Sequence, residues 1–202
     1  MFISPVKRMN LAITYYKDHL DDPMKMLQSV SGKLDTNYTN FLDIMSISYP
    51  NNIDNIFDDY YGQAQIKWFN AAEMDDDSIR QHIGNVNFVI IYDNGKGPLE
   101  IEKLTVFGKM VQFFLIVKKA KESQISVNHG PKYRLGFVRK TLNPVSPMIP
   151  VNHLFDEHTL RDFILTKAYN CYVQMKYDSE LSVFHSRPAT VELNTIAQKY
   201  TN

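Results

Sequence analysis

Apolar positions along the chain change their spacing after the first sixty or so residues. Early on, Leu11, Ile13, Tyr15, Tyr16 and Leu20 read as the apolar stripe of a helix. Asp22-Pro23 reads as an N-cap followed by proline at the first helical position, with Gly32 near the end. The run TNYTNFLDIMSI (36–47) predicts a further helix that stops before Pro50. NNIDNIFDDYYG (51–62) predicts a short one closed by Gly62.

From residue 63 the pattern turns to strands. QAQIKWF (63–69) alternates, and DDDSIRQHIG (75–84) predicts a short helix whose acidic start complements the helix dipole. Val86, Phe88 and Ile90 alternate into the turn Asp93-Asn94-Gly95. A helix begun by Pro98 and a strand over Val111–Lys118 follow, then two strands, SQISV and KYRLGFVRKTL, joined across NHGP. Three prolines between Pro144 and Pro150 predict an extended loop. FDEHTLRDFIL reads as a helix capped by Asp156, whereas Tyr169, Cys171, Val173 and Met175 alternate like a strand. The 187–200 stretch is strand or helix. The expected class is α+β: a helical N-terminal third, then a mainly antiparallel sheet with one or two packed helices. The expected organisation is a single domain over 1–202, with 1–60 a helical subregion and 61–202 a mixed sheet core.

Composition narrows this little. A chain of 202 residues can bury a core without metals or disulfides. Its lone cysteine, Cys171, excludes an internal disulfide and a multi-cysteine zinc site, and reads as a buried thiol. The start carries no signal-peptide pattern and no apolar run reaches membrane-spanning length, which points to a protein that is not secreted. The abundance of Asn, Asp, Tyr, Lys and Met is a bias shared by viruses, phages and some bacteria.

Charge adds more. The formal net charge is +0, yet the signs are segregated. Lys118, Lys119, Lys121, Lys132, Arg134, Arg139 and Lys140 face only Glu122 in the 117–140 span. Asp58, Asp59, Asp75, Asp76 and Asp77 belong to a strongly acidic span before it. Three readings follow: the two regions neutralise each other within one fold; the basic strands bind nucleic acid; or the patches of successive copies meet, giving a homo-oligomer or lattice, with an anionic membrane as a further surface. The assembly reading adds Pro144, Pro147, Met148 and Pro150 as a contact loop.

Catalytic motifs are wanting. His153 and His158 lie five apart, which sets them about 140° from each other round a helix and makes them poor joint metal ligands. FDDYYG and EMDDDS lack the calcium-loop spacing, and YDNGKGP lacks both phosphate-loop spacings. We therefore expect no enzyme, cofactor or metal; the rival is a small hydrolase or transferase using His153, Asp156 and His158.

His129–Phe155, with Tyr172–Leu181, resembles the central part of rhabdovirus-type matrix proteins. The matching pieces are Tyr133, Arg139, Pro147-Met148-Ile149 and Tyr177-Asp178. The chain has neither the Pro-Pro-x-Tyr motif nor the lysine-rich N-terminal tail of that family. The resemblance implies a viral structural protein that self-associates, contacts a membrane leaflet and nucleocapsid, and resides in the host-cell cytoplasm and the virion.

Overall fold

The structure is a computed structural model and describes residues 6–17, 35–47, 55–83, 86–96, 99, 110–121, 130–139 and 144–185. Strands and helices follow in the order β1 (Arg8–Tyr16), α1 (Thr36–Ile44), β2 (Ile56–Tyr61), β3 (Ala64–Asn70), a 3-10 turn (Ala71–Glu73), α2 (Asp76–Ile83), β4 (Phe88–Asp93), β5 (Phe113–Lys119), β6 (Lys132–Arg139), β7 (Phe155–Asp156) and α3 (Glu157–His185).

The strands form one sheet in the order β2-β3-β1-β4-β5-β6-β7. Its centre is parallel: β1 pairs with β3 and β4, and β4 with β5. Both margins are antiparallel, β2 on β3 and β6 on β5, with β7 on β6. A parallel sheet needs crossover segments on its faces, so both faces are covered and its central strand is apolar on both sides. All six residues of β4 are buried.

On one face Leu11, Ile13, Tyr15, Trp68, Phe88, Ile90, Tyr92, Phe113, Leu115 and Val117 pack under α1 and α3. Tyr38, Phe41 and Leu42 anchor α1 there; Leu160, Ile164, Leu165, Ala168 and Cys171 anchor α3. On the other face Ala12, Tyr16, Phe69, Val89, Ile91 and Phe114 pack against Ile79 and Ile83 of α2.

The expected class is corrected accordingly: the fold is α/β, with a mostly parallel central sheet, and among the described residues the N-terminal third holds the strands β1 and β2 beside the one helix α1. Leu11, Ile13 and Tyr15 stand two apart and share one face, while Ala12 and Tyr16 share the other. With both faces buried the apolar residues run on without polar gaps, which imitates a helical stripe. Residues 56–61 are the edge strand β2, not a helix. Gly62 sits at φ 59 in the tight turn to β3, a backbone that glycine adopts without strain. Residues 169–175, expected as a strand, continue α3: the residues facing the sheet recur at 160, 164, 168 and 171. The helix over 36–44, the strand and helix over 64–83, β4, the 113–119 strand and the proline loop occur as the pattern predicts. The expected helices at 22–34 and from Pro98, the SQISV strand and the 187–200 stretch lie outside the described residues, except for Leu99.

Candidate functional site

In open α/β sheets the functional crevice usually lies beyond the carboxyl ends of the parallel strands, where the strand order reverses. At that end polar groups cluster. Lys118 Nζ donates to Asp93 Oδ2 at 2.9 Å and to the Gly95 carbonyl at 2.8 Å. Lys119 Nζ donates to Asn37 Oδ1 at 2.8 Å. Asn94 Nδ2 reaches Tyr15 OH at 2.8 Å and Asp35 Oδ2 at 3.2 Å. Asp35 in turn caps α1 by accepting from Asn37 N at 2.8 Å. Beneath lies an aromatic cluster of Tyr15, Tyr38, Phe41, Tyr92 and Tyr133, with neighbouring ring centroids 5.1 to 6.4 Å apart. Burial, foremost, raises the phenol of each of these tyrosines, Tyr133 to about 12. Lys118 and Asn94 each donate twice within this cluster, and the exposed Lys119 donates once. The cluster braces β1, β4, β5 and α1 together.

The second polar surface is α2, which lies on the other face of the sheet. Asp75 starts it, accepting from Ser78 N at 2.7 Å; the bonds from Ser78 hold the Asp75 carboxyl below its usual value. Ile79 and Ile83 fix the buried side, and His82 stacks on Phe69 with ring centroids 5.8 Å apart. Spaced as i, i+3 and i+4 on the outward side stand Asp77, Arg80 and Gln81. The Asp77 and Arg80 side chains are 98% and 74% exposed and meet only at 3.9 Å. Unlike the cluster, this face holds its polar side chains out on a rigid support.

Of the basic residues singled out by charge, Lys118 and Lys119 belong to the bracing cluster. Lys132 lies 3.7 Å from Asp156 Oδ2, Lys121 and Arg134 are exposed, and Arg139 is half-buried. Lys140 lies outside the described residues. The acidic group divides as well. Asp58 is exposed on β2, but Asp59 accepts from Arg161 Nη2 of α3 at 2.5 Å. Asp75, Asp76 and Asp77 share the start of α2, on the opposite side of the sheet from that pair. The charge segregation along the chain is thus not a segregation into two faces.

Pro144, Met148 and Pro150 are exposed in the loop before β7, and Pro147 is partly buried. His153, Asp156 and His158 have separate local roles. His153 meets the Phe155 ring edge-on at 4.5 Å, Asp156 accepts from Thr159 N at 2.9 Å, and His158 is exposed. Among the described residues no group of three or more His, Cys, Asp or Glu side chains is placed to hold a metal. No helix among them is long and apolar enough to cross a membrane. In the sequence the acids of DDDSIRQHIG stand out, whereas Arg80 and Gln81 carry no motif.

A family model described as Rap/ran-GAP matches residues 23–192. With most of its length matched, the chain belongs to the Rap/ran-GAP family, a class of GTPase-activating domains. Among solved structures it is similar to one titled "Structure of the TSC2 GAP domain", with a TM-score of 0.62 and 12% identity, covering 85% of this chain and 100% of that one. At that identity the likeness is one of fold. No curated protein matches the sequence. A GTPase-activating domain is a regulator of another protein's reaction.

This overturns the matrix-protein reading. Tyr133 is buried in the core and Arg139 lines an intramolecular groove. Pro147-Met148-Ile149 belongs to a loop and Tyr177-Asp178 to a helix, so the short matches reflect no shared fold. The viral structural role, self-assembly, the nucleocapsid and membrane partners, and the virion and host-cell location fall with it.

Proposed function

We propose that this chain binds a small GTPase of the Rap or Ran kind and accelerates its hydrolysis of GTP. The observation that carries the reading is the family match over 23–192, and the TSC2 GAP-domain likeness of fold supports it. In this reading the GTPase holds nucleotide and magnesium and performs the chemistry. The activating domain supplies a polar or charged side chain in trans, which stabilises the transition state or orients the attacking water. It needs no cofactor and turns over no substrate alone.

We assign the GTPase-facing surface to the outward side of α2. A group presented in trans has to be held to within fractions of an ångström, which favours a capped helix seated on a sheet over a loop. Arg80 and Gln81 are the side chains on that side able to donate hydrogen bonds to phosphate oxygens or to a water. Asp75, Asp76 and Asp77 would meet a basic rim on the GTPase, contributing orientation and association rate more than affinity.

The test is phosphate release from GTP-loaded Rap and Ran proteins with and without the chain. Acceleration on the order of 10³-fold or more is expected for at least one. The double variant Arg80→Ala, Gln81→Ala should lose at least about tenfold of it while keeping its circular dichroism and melting temperature. Absence of acceleration on all of them overturns the function; full activity of the folded double variant overturns the surface.

A further inference from the structure

The helix α2 is eight residues long, and Ile79 and Ile83 are its buried side chains. A helix of that length does not hold itself together in water. What fixes its ends therefore decides where Arg80 and Gln81 stand.

The chain enters α2 from the end of β3. There Asn70, opposite Ile13 of β1, is 0% exposed. Its side chain lies on the α1 face, and its Oδ1 accepts from Tyr38 OH at 2.8 Å. Its Nδ2 donates to Glu73 Oε2 at 3.2 Å, and its main-chain N donates to the Asn55 carbonyl at 2.9 Å. Asn55 closes the ring by donating from Nδ2 to the Glu73 carbonyl at 3.2 Å. The Asn55 φ of 52 falls in the left-handed region, which asparagine enters more readily than most residues. Glu73 ends the 3-10 turn two residues before Asp75, whose carbonyl accepts from Ile79 N at 2.9 Å. The carboxylate and the carbonyl of Glu73 are thus both held where the chain turns into α2. Ala71 and Ala72 of the same turn are buried on opposite sides of the sheet.

Donors and acceptors match round this ring. Burial, and then Glu73, raise the Tyr38 phenol well above 10.0, so it keeps its proton and needs an acceptor. The Glu73 carboxylate needs a donor. A short side-chain amide offers both. An aspartate at position 70 would set two carboxylates against each other, and a leucine would leave the buried phenol without its acceptor.

We propose that Asn70 is a positioning residue: acting through Glu73, it fixes the root of α2 and thereby the pose of Arg80 and Gln81 toward a bound GTPase. Being buried, it touches neither nucleotide nor partner. Tyr38 extends the tie to α1, so α2 is registered against the layer on the other side of the sheet. A group acting in trans tolerates little misplacement, since about 1 Å can cost on the order of 10²-fold in rate. The consequence for rate rests on the GTPase reading above; the placement of α2 does not.

Amide exchange in α2, with β4 as internal reference, tests the placement. In Asn70→Asp, exchange at the Ile79 amide should quicken at least about tenfold relative to that at Ile90. The double variant Asn70→Asp, Glu73→Gln reverses donor and acceptor. The carboxylate introduced at position 70 accepts from the amide introduced at position 73 and still accepts from Tyr38. Exchange should return to within about threefold of the parent's. Asn55→Gly keeps the left-handed backbone and removes one bond to Glu73; it serves should Asn70→Asp fail to fold, and should quicken Ile79 exchange at least about threefold. In phosphate-release assays Asn70→Asp should lose at least about tenfold in kcat, more than any rise in KM, and the double variant should recover most of it. A general loss of stability would not be repaired by reversing one hydrogen bond. The proposal is overturned if Ile79 exchange is unchanged in the folded variants, if the double variant is no better than Asn70→Asp, or if Asn70→Asp keeps the parent's kcat. Should the parent accelerate no GTPase, the GTPase reading falls, and the exchange measurements alone decide for or against Asn70.

Discussion

Cys171 points from α3 into the core beside Leu165 and Ala168 with no exposed surface. Burial pushes its thiol up to about 12, against a small lowering by Lys167. A thiol reacts as its thiolate, and at neutral pH almost none is present. Native protein at pH 7.5 is therefore expected to resist iodoacetamide while denatured protein reacts fully; rapid alkylation of the native form would mean that α3 does not sit as described. The thiol was legible from composition, since a lone cysteine in an ordinary chain is usually buried. The Arg161–Asp59 pair was not, because its members stand 102 residues apart and meet only once α3 crosses β2. The same holds for Asn94 with Tyr15.

Among the elements, α3 shows how local and tertiary signals divide. Its start is written in the sequence: Asp156 accepts from Thr159 N at 2.9 Å and Thr159 Oγ1 at 2.7 Å. Those bonds, chiefly, hold the Asp156 carboxyl below its unfolded value of 3.8. A depressed carboxyl contributes stability that is complete above pH 3.8 and is lost as pH falls through the lowered native value. Asp156→Asn, which keeps the size and loses the charge, should lower the melting temperature at pH 7. The gap should close as the pH is taken below the native value. An equal gap at all pH values would show that packing, and not the charged cap, was disturbed. The continuation of α3 past residue 168 was not legible locally, because Tyr169, Cys171, Val173 and Met175 also satisfy a period of two. What decides is that 160, 164, 168 and 171 find the sheet beneath them. For β1 the decision goes the other way: a strand buried on both faces carries no polar alternation to announce it.

Across the whole molecule, the polar end of the sheet rests on tyrosines whose burial is collective. Tyr38, 0% exposed, has its phenol raised well above 10.0 by burial and then by Glu73. Tyr92 is raised by burial and by neighbours including Tyr133 and Tyr15. Tyr172 goes up to about 12 at the other end of the sheet, mainly by burial. Groups that keep their protons when folded stabilise the fold below their unfolded pKa and lose that contribution as pH rises above it. Stability to urea should therefore fall steeply above pH 10.0, and tyrosinate absorbance should rise in step with unfolding. A smooth titration of these tyrosines in a protein that stays folded would contradict the packing of α1 on the sheet. The same packing brings α2 out on the opposite face as a rigid platform, which is where the proposed GTPase contact belongs.

The sequence by itself determined what depends on neighbours a few residues away. It marks the cap at Asp156, the alternation of β3, the strand that runs into Asp93-Asn94-Gly95, the proline loop and the acid-started short helix of α2. These rest on backbone preference and side-chain spacing along one segment. Only the tertiary structure decided that β1 is a strand at the centre of a parallel sheet, that the charged spans scatter over several surfaces, and that Arg161 of α3 meets Asp59 of β2. Each of those depends on which distant segments pair, and pairing is set by the summed burial of both sheet faces, which no single stretch of chain records.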